Sequence, residues 1–137
     1  MHNVVDFIPE RDRELYRRYR EALRSKETRS HQEAIDMARH SPASRFYISI
    51  FQAYRGILRI KKGLKKEGGR IIRDKMIHDI YERYKKLEAK REFRGCSTYF
   101  ITSFAVFQEA PEFYLSHSRA LAIISKINRE KRYEGKY

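Results

Sequence analysis

The sequence predicts a mainly α-helical fold, about six helices in two pseudo-repeated units, with two short strands that could form a minimal ribbon. Three observations carry this. Apolar residues recur at helical spacing along most of the chain. Serine-led capping patterns open several of those runs. The chain also repeats itself. Leu15-Tyr16-Arg17-Arg18-Tyr19-Arg20 returns as Ile80-Tyr81-Glu82-Arg83-Tyr84-Lys85, and Pro42-Ala43-Ser44-Arg45-Phe46-Tyr47-Ile48-Ser49 returns as Pro111-Glu112-Phe113-Tyr114-Leu115-Ser116. Tyr16 precedes Phe46 by 30 residues, and Tyr81 precedes Phe113 by 32. Two marks in register suggest a duplicated unit of about 65 residues, divided as 1–66 and 67–137 around one shared core.

Each copy reads as helix, turn, helix, short extended piece, helix. The first helix is expected from Asp12 to Arg24, because Leu15, Tyr16, Tyr19, Ala22 and Leu23 share one face. Arg13, Arg17, Arg20 and Arg24 occupy the opposite face. Ser30-His31-Gln32-Glu33 is a capping box that starts a second helix with Ala34, Ile35, Met37 and Ala38 inward. Ser41-Pro42 ends it, since the residue before a proline disfavours the helical conformation. Arg45-Phe46-Tyr47-Ile48 is rich in strand formers and is taken as the first ribbon strand. A continuous helix from Pro42 to Ile60 stays open as the alternative. Ser49 caps the third helix, whose apolar positions are Ile50, Ala53, Tyr54, Ile57 and Leu58.

The 61–67 stretch, with Gly68-Gly69 after it, reads as a linker. In the second copy Ile77, Ile80, Tyr81, Tyr84 and Leu87 give the first helix its apolar face, and Ser97 caps a second helix through Gln108. Residues 97–108 carry no charge, so this helix is expected to be the most buried part of the chain. Phe113-Tyr114-Leu115 is the second strand. Ser116 opens a last helix with Ala120, Ile123, Ile124 and Ile127 inward.

Composition narrows the function. Thirty-one Lys and Arg stand against eighteen Asp and Glu, a formal net charge of +13. Such an excess attracts phosphate backbones and opposes self-association. No run of apolar residues reaches the length of a membrane span, and the basic amphipathic helix with Trp that suits a membrane surface is missing. The N-terminus lacks the form of a secretory signal, and the single Cys96 allows no internal disulfide. Both point to an intracellular protein, cytoplasmic or associated with the nucleoid. The five histidines and Cys96 show no metal-ligand spacing, Gly68-Gly69-Arg70 lacks the phosphate-loop pattern, and no catalytic constellation emerges. The expectation is therefore a binding protein, not an enzyme, without metal or cofactor.

The densest charge lies between Arg55 and Lys75, where nine basic residues face only Glu67 and Asp74, +7 of the total +13. Arg55, Arg59 and Lys62 fall three or four residues apart, so they share a helix face that could follow phosphates. Lys61, Lys65, Lys66, Arg70 and Arg73 extend the tract, and Lys126 and Arg129 form a second cluster on the last helix. The 32–50 stretch, a helix, the Ser41-Pro42-Ala43 turn and the element after that turn, resembles a helix-turn-helix over about twenty residues. That resemblance implies a groove-facing element with Ser44, Arg45 and Tyr47 near base edges. Double-stranded DNA is the expected partner, bound by a small regulatory or accessory factor. An RNA-binding subunit and a structural protein with an acidic partner are the alternatives, and a protein partner or a homo-oligomer stays open.

Overall fold

Four serines set where helices begin. The computed structural model describes residues 7–63 and 71–134. Among them are six α-helices: α1 (Phe7–Arg24), α2 (His31–Arg39), α3 (Ile50–Lys61), α4 (Ile71–Glu88), α5 (Thr98–Ala105) and α6 (His117–Glu134). A 3-10 turn at Arg91–Phe93 precedes α5. The hydroxyls of Ser30, Ser49 and Ser97 accept from the backbone N–H of Glu33, Gln52 and Phe100. Ser116 accepts from Arg119 in the same way. Each bond satisfies a donor that a helix start leaves open, a contribution of about 1 kcal/mol. The capping box at Ser30 differs in one detail, since the Glu33 carboxylate accepts from the N–H of Arg29 at 2.6 Å instead of Ser30.

The helices form two compact units. One consists of the described residues of Ser44–Ala110 and so contains α3, α4 and α5. Phe46, Ile48, Ile57, Ile80, Tyr84, Ile101 and Val106 fill its interior. The other joins the described residues of Asp6–Ala43 to those of Pro111–Tyr137 and contains α1, α2 and α6. Leu15, Tyr19, Ala34, Ile35, Phe113, Ala120 and Ile124 are buried there. Each unit thus takes two helices from one half of the sequence and its third from the other half. The segments 1–66 and 67–137 do not close separately; they exchange their last helices.

The backbone around the exchanged helices is alike in the two units. The N–H of Phe46 donates to the carbonyl of Val106 at 2.9 Å, and the N–H of Phe113 donates to that of Arg39 at 3.1 Å. Donors and acceptors are both 67 residues apart, as are Ser30 and Ser97, and Ser49 and Ser116. Ala53 and Ala120, and Ile57 and Ile124, share this spacing and are buried alike.

Two sequence expectations need correction. Residues 45–48 and 113–115 are not strands, and no strand occurs among the described residues. The N–H of Ile48 donates to the Phe46 carbonyl at 3.0 Å, which turns the chain within three residues. Arg45 then donates from Nε to the Phe46 carbonyl and from Nη2 to that of Ile48. Those acceptors are unavailable to a ladder. At the second site Tyr114 has φ +58°, a left-handed conformation incompatible with strand pairing. Arg39 brackets it, accepting from Phe113 N–H and donating from Nη1 to the Leu115 carbonyl at 3.2 Å.

The 97–108 stretch is not the most buried segment. Ile101, Thr102, Ala105 and Val106 are buried, but Tyr99, Phe100, Phe104 and Phe107 are about half exposed. An eight-residue helix covered on one side buries one stripe only, whatever the chemistry of the other.

Candidate nucleic-acid interface

The outer side of α3 is built from the chain's own periodicity. Ala53 and Ile57 face inward, which turns Phe51, Gln52, Arg55, Arg59 and Lys62 outward, all exposed. Arg55 and Arg59 are one turn apart, about 6 Å along the axis. No carboxylate occurs on α3. The contrast with α1 is informative, because the exposed Arg17 there pairs with Glu14 at 3.7 Å and Glu21 at 3.1 Å. Positive charge on α1 is partly neutralised by its own helix, whereas α3 has no acidic residue to do the same. Arg55, itself exposed, also lies over the Phe51 ring at 5.8 Å.

Lys61 has another task. Its ammonium donates to the Tyr84 hydroxyl at 2.6 Å and to the Thr98 hydroxyl at 3.1 Å, with the Glu88 carboxylate 3.8 Å away. The Tyr84 bond holds the Lys61 pKa above its ordinary value, against the smaller opposing effect of burial. This cation ties α3 to α4 and α5.

The residues expected to read bases are placed differently. Tyr47 is 8% exposed and its hydroxyl lies 3.1 Å from that of Ser44. Arg45 is half-buried, bonded to two carbonyls, with its guanidinium 4.3 Å from the centre of the Phe107 ring. Ser44 itself is exposed. The helix-turn-helix resemblance does not extend to the backbone. α2 and α3 are separated by ten residues and belong to different units, whereas that motif joins its helices by a turn of three or four.

Arg73 is half-buried on α4, while Lys126 and Arg129 are both exposed on α6. Lys65, Lys66 and Arg70 lie outside the described residues. α1 and α6 line a shallow depression with Arg13, Arg17 and Lys131, but Glu130 and Glu134 are there too. Among the described residues, no group of three or more His, Cys, Asp or Glu could hold a metal ion, and no helix is long and apolar enough to cross a membrane.

Sequence reasoning missed the aromatic outer face of α5. Its signal was the excess of apolar residues over what a single buried stripe needs: four large rings remain between Ser97 and Gln108 after Ile101, Thr102 and Ala105 are placed inside. No protein-family model matches this chain, and neither a curated protein nor a solved structure is significantly similar to it.

Proposed function

We propose that this chain is an internally duplicated, basic nucleic-acid-binding protein that grips double-stranded DNA by its phosphate backbone, as a regulatory or accessory factor. The observation that carries this is the outer face of α3, where Arg55, Arg59 and Lys62 are exposed on a helix without a carboxylate. A row of exposed cations at one-turn spacing gains from counterion release on a polyanion far more than from a single acidic side chain. The 64–70 stretch, which continues the row in sequence with Lys65, Lys66 and Arg70, belongs to the same interface in this reading.

The mode of binding is set by which side chains are already engaged. Arg45 and Tyr47 are occupied inside their unit, so binding is by phosphate contacts and carries little sequence preference. Duplication is supported by the recurrence of serine caps and backbone bonds at a spacing of 67. In this reading, ancestral copies exchanged their third helices and were then joined in one chain.

Competition among duplex DNA, structured RNA and an acidic polypeptide for the full chain tests the proposal. Duplex DNA should displace the acidic polypeptide and match or exceed RNA. Tighter binding of structured RNA would replace it with an RNA-binding role, and preference for the polypeptide would replace both.

A further inference from the structure

We infer that the outer face of α5 is a self-association surface on which a second copy of this chain docks. Tyr99, Phe100, Phe104 and Phe107 are 45%, 48%, 47% and 55% exposed. The Phe104 ring meets those of Phe93 and Phe100 edge-on at 5.3 and 5.1 Å, so these three rings form one apolar surface, flanked by Tyr99 against Tyr54 and by Phe107 beside the Arg45 guanidinium. No charged residue lies between Ser97 and Gln108.

The fold itself does not require this face. At the spacing of 67 that relates the serine caps, the matching positions on and just after α2 are Gln32, Glu33, Met37 and His40. Gln32, Glu33 and His40 are exposed and polar, and Met37 is half-buried. Aromatics at one helix and polar groups at its counterpart mark the face as serving something outside the unit.

Area and charge favour a second copy as the occupant. Half-exposed rings of roughly 150–250 Å² each supply about 300–500 Å² per chain. Two such faces give roughly half of the 1,200–2,000 Å² of a stable interface, and the rim supplies the rest. The N-terminal end of the face carries exposed Lys90, Arg91 and Arg94 with exposed Glu92 among them, a net positive edge, and the C-terminal end carries exposed Glu109. Antiparallel pairing sets Arg91 and Arg94 of one copy beside Glu109 of the other. One such face per chain closes a dimer and does not propagate a fibre. The +13 charge on each copy opposes the contact, so screening strengthens it. Salt therefore acts on the dimer in the opposite direction from its effect on DNA binding.

The test is sedimentation velocity of the full chain, free of nucleic acid, over a concentration series at low and high salt. The parent should dimerise, more tightly at high salt. Phe100→Glu with Phe104→Glu should leave a monomer of unchanged helical circular dichroism. Arg94→Glu and Glu109→Arg should each weaken the dimer, and their combination should restore it. A parent that stays monomeric at every concentration would overturn the inference and assign the face to a partner of other chemistry. A dimer that survives the Phe100/Phe104 change, or charge reversals that do not compensate, would place the dimer contact elsewhere. None of these readouts involves DNA, so they stand or fall apart from the proposed function.

Discussion

Lys61 donates to the hydroxyl of Tyr84 at 2.6 Å, and with that bond the last cation of α3 leaves the row formed by Arg55, Arg59 and Lys62. In the repeated sequence motif Tyr84 matches Tyr19, whose hydroxyl lies 2.6 Å from Nδ1 of His31. Each of these buried tyrosines reaches the opening residue of the next α-helix, His31 for Tyr19 and Thr98 for Tyr84. Tyr84→Phe removes this acceptor and leaves Lys61 with the Thr98 hydroxyl and the Glu88 carboxylate. The expected cost is about 1–2 kcal/mol in chemical denaturation. DNA affinity should not fall, because Arg55, Arg59 and Lys62 are untouched. A large loss of binding without loss of stability would mean that the Tyr84 hydroxyl contacts the nucleic acid itself.

Asp36 should make stability sensitive to acid. Its Oδ1 accepts from His117 Nδ1 and from Arg39 Nε, both at 2.7 Å. The His117 bond, and then the Arg39 bond, hold its pKa below the ordinary 3.8. A carboxyl with a depressed folded-state pKa adds stability that is present above its unfolded value and lost as pH falls through the folded one. The melting-temperature advantage of the parent over Asp36→Asn should therefore shrink as the pH drops below about 4. An advantage that grows on acidification would contradict this assignment.

Gly56 marks a close approach of α3 to α4. A Cβ there would stand 2.6 Å from Ile77 Cγ2 and 2.9 Å from its Cδ1. Alanine in a helix interior is normally favoured over glycine by about 1 kcal/mol. Overpacking against Ile77 costs about 1–3 kcal/mol and should win. Gly56→Ala is thus expected to destabilise the parent yet to be neutral or stabilising in an Ile77→Ala background. Equal effects in both backgrounds, read by urea denaturation, would show that the two residues are not coupled.

Burial separates two phenylalanines that sequence alone treats alike. Phe46 is 0% exposed and Phe104 is 47% exposed. Phe46→Ala should cost about 3–5 kcal/mol. Phe104→Ala, measured where the chain is monomeric, should cost only about 1 kcal/mol, since half of the ring already meets water. Comparable losses would show that the α5 face is covered within the chain.

The helix starts were legible because capping is local: Ser30, Ser49, Ser97 and Ser116 each bond a donor three residues on. The strands were misread because propensity ignores what competes for the backbone. Arg45 takes the carbonyls of Phe46 and Ile48, and Tyr114 turns left-handed between two bonds to Arg39. Absence of charge on α5 suggests burial, although burial depends on how many neighbours the helix has. The exchange of α3 and α6 was hidden for a different reason. A sequence whose motifs recur offers two third helices of similar pattern and says nothing of which core each one closes. In the candidate interface, Arg55, Arg59 and Lys62 were legible from spacing, whereas the engagement of Lys61 and Arg45 depends on partners distant in sequence or on local turns.

Salt dependence tests the central claim most directly. Fluorescence anisotropy of a labelled duplex, titrated with the full chain between about 50 and 200 mM salt, should show affinity falling about a thousandfold if roughly six phosphates are neutralised. Replacing Arg55, Arg59 and Lys62 with Gln should reduce the slope of log affinity against log salt by about three, with little change in thermal stability because the charges are exposed. A triple variant that binds duplex DNA as tightly as the parent, with the same slope, would contradict the account.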